Sequence, residues 1–142
     1  MSAYAKTQQF GGPGGNGFSD DLTQSCRLST VTIRSGEFVD AIGGTYTMPS
    51  GATYSGGLHG GGGGNLQSFD LAPGEYIVHV DGQAGEYVDS LKFSTNLGNV
   101  HGPFGGPGGN PFTLSNLHVG GLFGSAGEFV DAIGFFTVAN CP

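Results

Sequence analysis

The sequence predicts an all-β domain with pseudo-threefold symmetry, and three observations lead there. Ser35-Gly36-Glu37-Phe38-Val39-Asp40 comes back as Ala84-Gly85-Glu86-Tyr87-Val88-Asp89 and again as Ala126-Gly127-Glu128-Phe129-Val130-Asp131. A glycine run keeps step with it: Gly11-Gly12-Pro13-Gly14-Gly15-Asn16, Gly60-Gly61-Gly62-Gly63-Gly64-Asn65 and Gly105-Gly106-Pro107-Gly108-Gly109-Asn110. Counted from its first glycine, each run precedes an Asp of the hexapeptide by 29, 29 and 26 residues. Finally, helical periodicity is nearly absent, whereas short alternating segments lie between dense turn signals. Patterns kept three times mark an internal repeat of about 45 residues. Many short strands with turns roughly every 8–12 residues point to a sandwich, barrel or prism. Three units of this size close on themselves more readily than they extend into a solenoid. They run at about 11–59, 60–104 and 105–138, within one domain spanning 1–142.

The elements follow in order. After the first glycine run, Asp20 and Asp21 are expected on a solvated loop. Residues 28–34 alternate, with Ser29, Val31 and Ile33 on one face and Thr30, Thr32 and Arg34 on the other. Residues 75–80 are expected to place Tyr76, Val78 and Val80 opposite Ile77 and His79. Residues 114–119 are expected as a strand with Leu117 and Val119 opposite Asn116 and His118. A further strand follows each hexapeptide, at 41–47, 90–94 and 132–138. Pro49-Ser50-Gly51, Ser55-Gly56-Gly57, Pro73-Gly74, Asp81-Gly82, Asn96-Leu97-Gly98 and Gly120-Gly121 mark the turns between them. His59, His79, His101 and His118 fall at unrelated repeat positions, which suits surface or strand roles better than a shared active site.

Composition excludes several function classes. Glycine stands at 30 of 142 residues, but in fixed places between β-branched segments, so ordered turns explain it better than disorder. The net charge is −7, and Lys6, Arg27, Arg34 and Lys92 are the only firm cations. Four scattered cations cannot track phosphates, which argues against nucleic acid and anionic membranes. No apolar run approaches the roughly 20 residues of a membrane helix. The first ten residues lack the hydrophobic core of a signal peptide. An intracellular protein, an unusual export route or a mature extracellular form all fit, the last being preferred. Cys26 and Cys141 either close a disulfide around most of the chain or stay as thiols. No Cys/His spacing suggests zinc, and nothing calls for a cofactor.

The two motifs complement one another chemically. A side-chain-free glycine turn allows close approach, and its backbone N–H groups can point the same way. A carboxylate accepts hydrogen bonds through two oxygens. Fixed donors beside an anionic acceptor suit vicinal hydroxyls, each of which both gives and takes a hydrogen bond. That is a sugar-binding constellation. Set against it, glycine runs also mark tight strand ends, and a repeated Asp can simply cap a turn.

Gly11 to Gly15 near the start and Gly127-Glu128-Phe129-Val130-Asp131 near the end resemble the jacalin-related lectins. So does the path from Phe93-Ser94-Thr95-Asn96-Leu97-Gly98 through Gly102-Pro103-Phe104-Gly105-Gly106 and Thr113-Leu114-Ser115-Asn116 to Gly124-Ser125-Ala126-Gly127. The likeness covers almost everything from Phe10 to Val138. It implies a β-prism of type I, with three four-stranded antiparallel sheets, and glycine turns and acidic loops gathered at one end. It also implies that the first turn joins the last loop, because the chain ends meet in one sheet. Gly15 then pairs with Asp131, Gly64 with Asp40, and Gly109 with Asp89. In the family the Asp carboxylate serves the sugar's O4 and O6. The loop amides, here at Glu37-Phe38, Glu86-Tyr87 and Glu128-Phe129, serve O5 and O6, and the last turn glycine serves O3 or O4.

The resemblance implies a mannose- or glucose-type lectin that recognises high-mannose glycans and glycoproteins. The galactose-binding branch is cleaved just before its first glycine turn, whereas ten residues precede Gly11 here. A homodimer, with N-terminal strands exchanged about a hinge near Asn16 to Thr23, is one assembly the family suggests. There are departures from the family pattern. Phe38 and Phe129 lack the hydroxyl that Tyr87 keeps, and can only pack against a sugar face. Glu37, Glu86 and Glu128 replace shorter residues and are expected to face solvent at the site rim. Pro13 and Pro107 each remove a donor from a glycine turn and stiffen it. A structural or protein-binding prism with vestigial sites is the competing reading. A calcium β-roll needs contiguous nine-residue repeats. A glycosidase needs two carboxylates flanking one bond, and each repeat offers one Asp, with the Glu three residues earlier as its only possible partner.

Overall fold

The computed structural model describes residues 4–22 and 27–138. Cys26 and Cys141 lie outside them. All regular structure among these residues is strand, in thirteen segments. These are β1 (Tyr4–Lys6), β2 (Phe10–Gly11), β3 (Asn16–Ser19), β4 (Arg27–Ser35), β5 (Val39–Thr47), β6 (Thr53–Gly60) and β7 (Asn65–Asp70), followed by β8 (Ile77–Ala84), β9 (Val88–Thr95), β10 (Val100–Gly105), β11 (Asn110–Leu114), β12 (Val119–Ala126) and β13 (Val130–Val138).

They form three antiparallel sheets, ordered β6-β5-β4-β7, β10-β9-β8-β11 and β1-β13-β12-β3. In the last, β2 also pairs with β13, so β1 and β2 together make one outer strand of a four-strand sheet. Each sheet has the same plan. A central hairpin closes on the acidic loop, and the glycine turn joins the two outer strands across the hairpin tip. Two sheets take hairpin and outer pair from consecutive chain. The third takes its outer strands from the N-terminus and its hairpin from the C-terminus.

The inner faces supply the core. Val31, Ile33, Ile42 and Tyr46 come from one sheet, Ile77, Val80, Leu91 and Phe93 from the second, and Leu122, Ile133 and Phe135 from the third. Val39, Val88 and Val130, one beneath each acidic loop, are all 0% exposed. Each such side chain contributes ~1.5–3 kcal/mol by leaving water. At each seam between sheets a pair of rings stacks. Phe10 lies on Phe112 at 4.2 Å, Phe18 on His59 at 4.0 Å, and Phe69 on His101 at 4.0 Å. These stacks tie outer strands that share no backbone hydrogen bond.

Several local expectations are corrected. Ser55-Gly56-Gly57, Asp81-Gly82 and Gly120-Gly121, expected as turns, lie inside β6, β8 and β12, where Gly56, Gly82 and Gly121 make room for Asp20, Phe112 and Leu22 packed against the strands. Asp20 is buried rather than solvated. Past β3 the chain folds over the neighbouring sheet, where the Tyr46 hydroxyl donates to the Asp20 carboxylate and His59 Nε2 lies 2.8 Å from it. Gly56 leaves the space, since a Cβ there would stand 2.7 Å from the carboxylate. Asp21 is exposed, as expected. The alternation expected over residues 75–80 is broken by a register shift between Ile77 and His79, so Ile77 and Val80 both face the core. The strand expected over 114–119 is interrupted. Asn116 has φ of 58°, and the chain leaves one sheet at Leu114 to enter another at Val119.

Glu75 is a structural carboxylate. It accepts from Ala72 N at 2.9 Å and from Thr95 Oγ1 and Asn99 Nδ2 at 2.7 Å each, tying the β7–β8 connection to the β9–β10 hairpin. These donors, the backbone N–H foremost, hold its pKa at about 2. A carboxylate with depressed folded pKa stabilises above its unfolded pKa of about 4.3 and loses that contribution as pH falls through the folded value. Acid titration followed by circular dichroism should therefore show stability falling between about pH 4.3 and 2, and Glu75→Gln should flatten that dependence. In the ring-stacked seam, a Cβ on Gly82 would stand 2.5 Å from Phe112 Cε2. Gly82→Ala should displace Phe112 from Phe10 and lower the free energy of unfolding in urea by about 1–3 kcal/mol.

Candidate functional site

The site is built where each glycine turn crosses its hairpin. In a four-strand sheet the outer strands lie about 14 Å apart, three spacings of ~4.8 Å. Five residues extended reach only about 18 Å. The turn therefore has little slack and crosses directly over the acidic loop. The backbone records this. Gly12 N donates to Asp131 O at 2.9 Å, Gly61 N to Asp40 O at 3.0 Å, and Gly106 N to Asp89 O at 3.0 Å. The loops share one shape, closed by Gly36 N to Phe38 O, Gly85 N to Tyr87 O and Gly127 N to Phe129 O, each 2.9 Å.

The Asp side chains point into the glycine turns. A Cβ on Gly15 would stand 2.5 Å from Asp131 Oδ1, and one on Gly14 2.7 Å from Oδ2. The figures are 2.7 and 2.8 Å for Gly64 and Gly63 against Asp40, and 2.5 and 2.7 Å for Gly109 and Gly108 against Asp89. Gly15, Gly64 and Gly109 also have φ of 76°, 70° and 83°, a region that excludes most side chains. Glycine is thus demanded twice over at these three positions. The structure brings together Gly15 with Asp131, Gly64 with Asp40 and Gly109 with Asp89.

Each carboxylate is largely removed from water, with the residues 6–7% exposed. Burial pushes all three carboxyl groups above the usual aspartate value. Arg34 opposes the shift at Asp40. At Asp131 backbone donors, including the Gly127 N–H, oppose it, while the Glu86 charge adds to it. Arg34 was not singled out for this end of the molecule from the sequence. Its one signal is that a scarce cation stands just ahead of the first loop.

The three sites interlock. Gly12 packs against the Glu86 carbonyl, Gly61 against that of Glu128 and Gly106 against that of Glu37. Each turn is thereby wedged between its own Asp and the loop of a neighbouring sheet. Glu37, Glu86 and Glu128 are exposed at the rim. The rings of Phe38, Tyr87 and Phe129 meet one another at the pseudo-threefold axis, with centroids 5.3, 5.0 and 5.0 Å apart. Among the described residues, no three His, Cys, Asp or Glu side chains gather to hold a metal ion.

This arrangement presents an anionic acceptor beside backbone N–H groups, three times on one end of a rigid prism. The Jacalin-like lectin domain model matches residues 7–136. Griffithsin from Griffithsia sp. (strain Q66D336) is 38% identical over 130 residues, covering 91% of this chain and 93% of that protein. Horcolin from Hordeum vulgare subsp. vulgare is 36% identical over 145 residues, covering 96% and 98%. The solved structure of artocarpin in complex with mannotriose superposes with a TM-score of 0.87 at 27% identity, over 99% of this chain and 100% of that one. With a family match over nearly the whole chain and the same prism in a solved relative, this protein belongs to the jacalin-like lectins, proteins that bind carbohydrate without enzymatic chemistry.

Proposed function

We propose that the chain is a mannose-type lectin with three sugar sites at one end, and that it recognises branched high-mannose glycans on glycoproteins. The observation that carries this reading is the threefold convergence of an Asp carboxylate with a glycine turn that no side chain can occupy. The mannotriose bound by artocarpin supports the sugar class. In the three sites the carboxylates of Asp40, Asp89 and Asp131 accept from the sugar's O4 and O6 hydroxyls. The N–H groups of the loops at Glu37-Phe38, Glu86-Tyr87 and Glu128-Phe129 donate to ring and exocyclic oxygens. The last turn glycines, Gly64, Gly109 and Gly15, close on the remaining hydroxyl. Three weak sites on one face gain avidity when a branched glycan spans them.

A vestigial-site prism would not be retained on mannan resin, whereas a three-site lectin should be retained and released by free mannose. Isothermal titration with methyl α-mannoside should give three sites per chain, and Asp89→Asn two. Because burial raises the carboxyl pKa, the charged form of Asp89 is disfavoured by folding, so Asp89→Asn should leave the thermal midpoint unchanged or higher. Unchanged stoichiometry in Asp89→Asn would remove that residue from a site. Binding needs the charged carboxylates, so mannoside affinity should fall as pH drops, with half its loss above the ordinary aspartate value of about 3.9.

A further inference from the structure

The three sites are not held alike. Arg34, Gln83 and Ser125 occupy one repeat position, just ahead of the register shift that precedes each acidic loop. Arg34 Nη1 donates to Gly62 O at 3.3 Å. Gln83, with its side-chain amide oriented to donate, reaches Pro107 O at 2.8 Å and Gly108 O at 2.6 Å. Gly62 and Pro107 are the same, middle position of their turns. Among the described residues, no hydrogen bond joins Ser125 to the turn at 11–15, and its hydroxyl is too short to copy these contacts.

We propose that Gln83 and Arg34 are positioning residues for the turns of the Asp89 and Asp40 sites, Gln83 aiming the Gly109 N–H directly and Arg34 holding the peptide ahead of Gly64, which leaves the Asp131 site the least preorganised. The inference rests on the lectin reading above. A trans peptide points its C=O and N–H in opposite directions. Holding Pro107 O and Gly108 O therefore directs the N–H groups of Gly108 and Gly109 away from Gln83. Holding Gly62 O does the same for Gly63. No described acceptor takes the N–H of Gly64 or Gly109, so these donors are available to a ligand. Proline at 13 or 107 fixes one φ only, so the orientation of the two peptide planes that follow depends on other contacts. Glycines that a ligand must order itself weaken its binding several-fold.

The test uses chains with one intact site. With Asp40→Asn and Asp131→Asn in place, adding Gln83→Ala should weaken methyl α-mannoside binding about three- to tenfold by calorimetry, the worth of one or two directed hydrogen bonds. Gln83→Arg should restore it, and ¹⁵N relaxation should show lower order parameters at Gly108 and Gly109 in Gln83→Ala alone. With Asp40→Asn and Asp89→Asn instead, Ser125→Gln should tighten the remaining site several-fold. Affinity within twofold of the parent for Gln83→Ala would overturn the proposal, as would a loss that follows the thermal midpoint and is not restored by Gln83→Arg. If the parent chain binds no mannoside, the lectin reading fails. The glycine order parameters then decide the positioning claim by themselves, unchanged values overturning it.

Discussion

A short glycine bridge stretched over the tip of a hairpin is the constraint on which this molecule turns. The outer strands of each sheet are separated by two others, and only a few residues link them. The link runs at backbone contact over the acidic loop, which the Gly–Asp main-chain bonds record at 2.9–3.0 Å. Side chains are excluded there by distance and by backbone conformation together. What remains is a shallow surface of exposed peptide edges with one carboxylate beneath it. The same wedge continues into the next sheet, where the second glycine of each turn seats a neighbouring Glu carbonyl. The prism end is therefore one interlocked ring, capped at its centre by three mutually packed aromatic side chains.

The carboxylates divide by what surrounds them. Glu75 is ringed by donors and sits far below its ordinary pKa, so its charge supports the fold. Asp40, Asp89 and Asp131 are shifted the other way, by burial alone at Asp89 and by burial that outweighs opposing groups at Asp40 and Asp131. A charge kept where folding disfavours it, at the same place three times, supports the proposed sugar-binding role over one in stability. Asp20 is intermediate. Burial raises its pKa, while Tyr46 and His59 pull it back by direct contact, and it anchors the N-terminal strand to the next sheet.

Symmetry of backbone coexists with asymmetry of side chains. The bulge before each loop, the loop closure and the positive φ of the last turn glycine recur in all three units. The seams are filled differently, by Phe on Phe, Phe on His, and a cluster of Phe69, His101 and Phe104. The core tolerates such variation because a flat ring of similar width fills each seam. Contacts to the turns vary too, with Arg34 and Gln83 reaching carbonyls that Ser125 does not.

The sequence by itself determined the all-β class, the threefold repeat and the identity of the glycines and aspartates, because each depends on local pattern and spacing. Its local alternation failed at Ile77 and Val80, where a bulge inserts one residue, and at Asn116, where the chain changes sheet. Burial of Asp20 was invisible, since its partners Tyr46 and His59 stand 26 and 39 residues away. Only the tertiary structure decided that three aromatic rings would meet on the axis, that Arg34 and Gln83 would reach the turns, and how deeply the aspartates would sit. Those outcomes depend on how three sheets close around one core, and no window of neighbouring residues contains that closure.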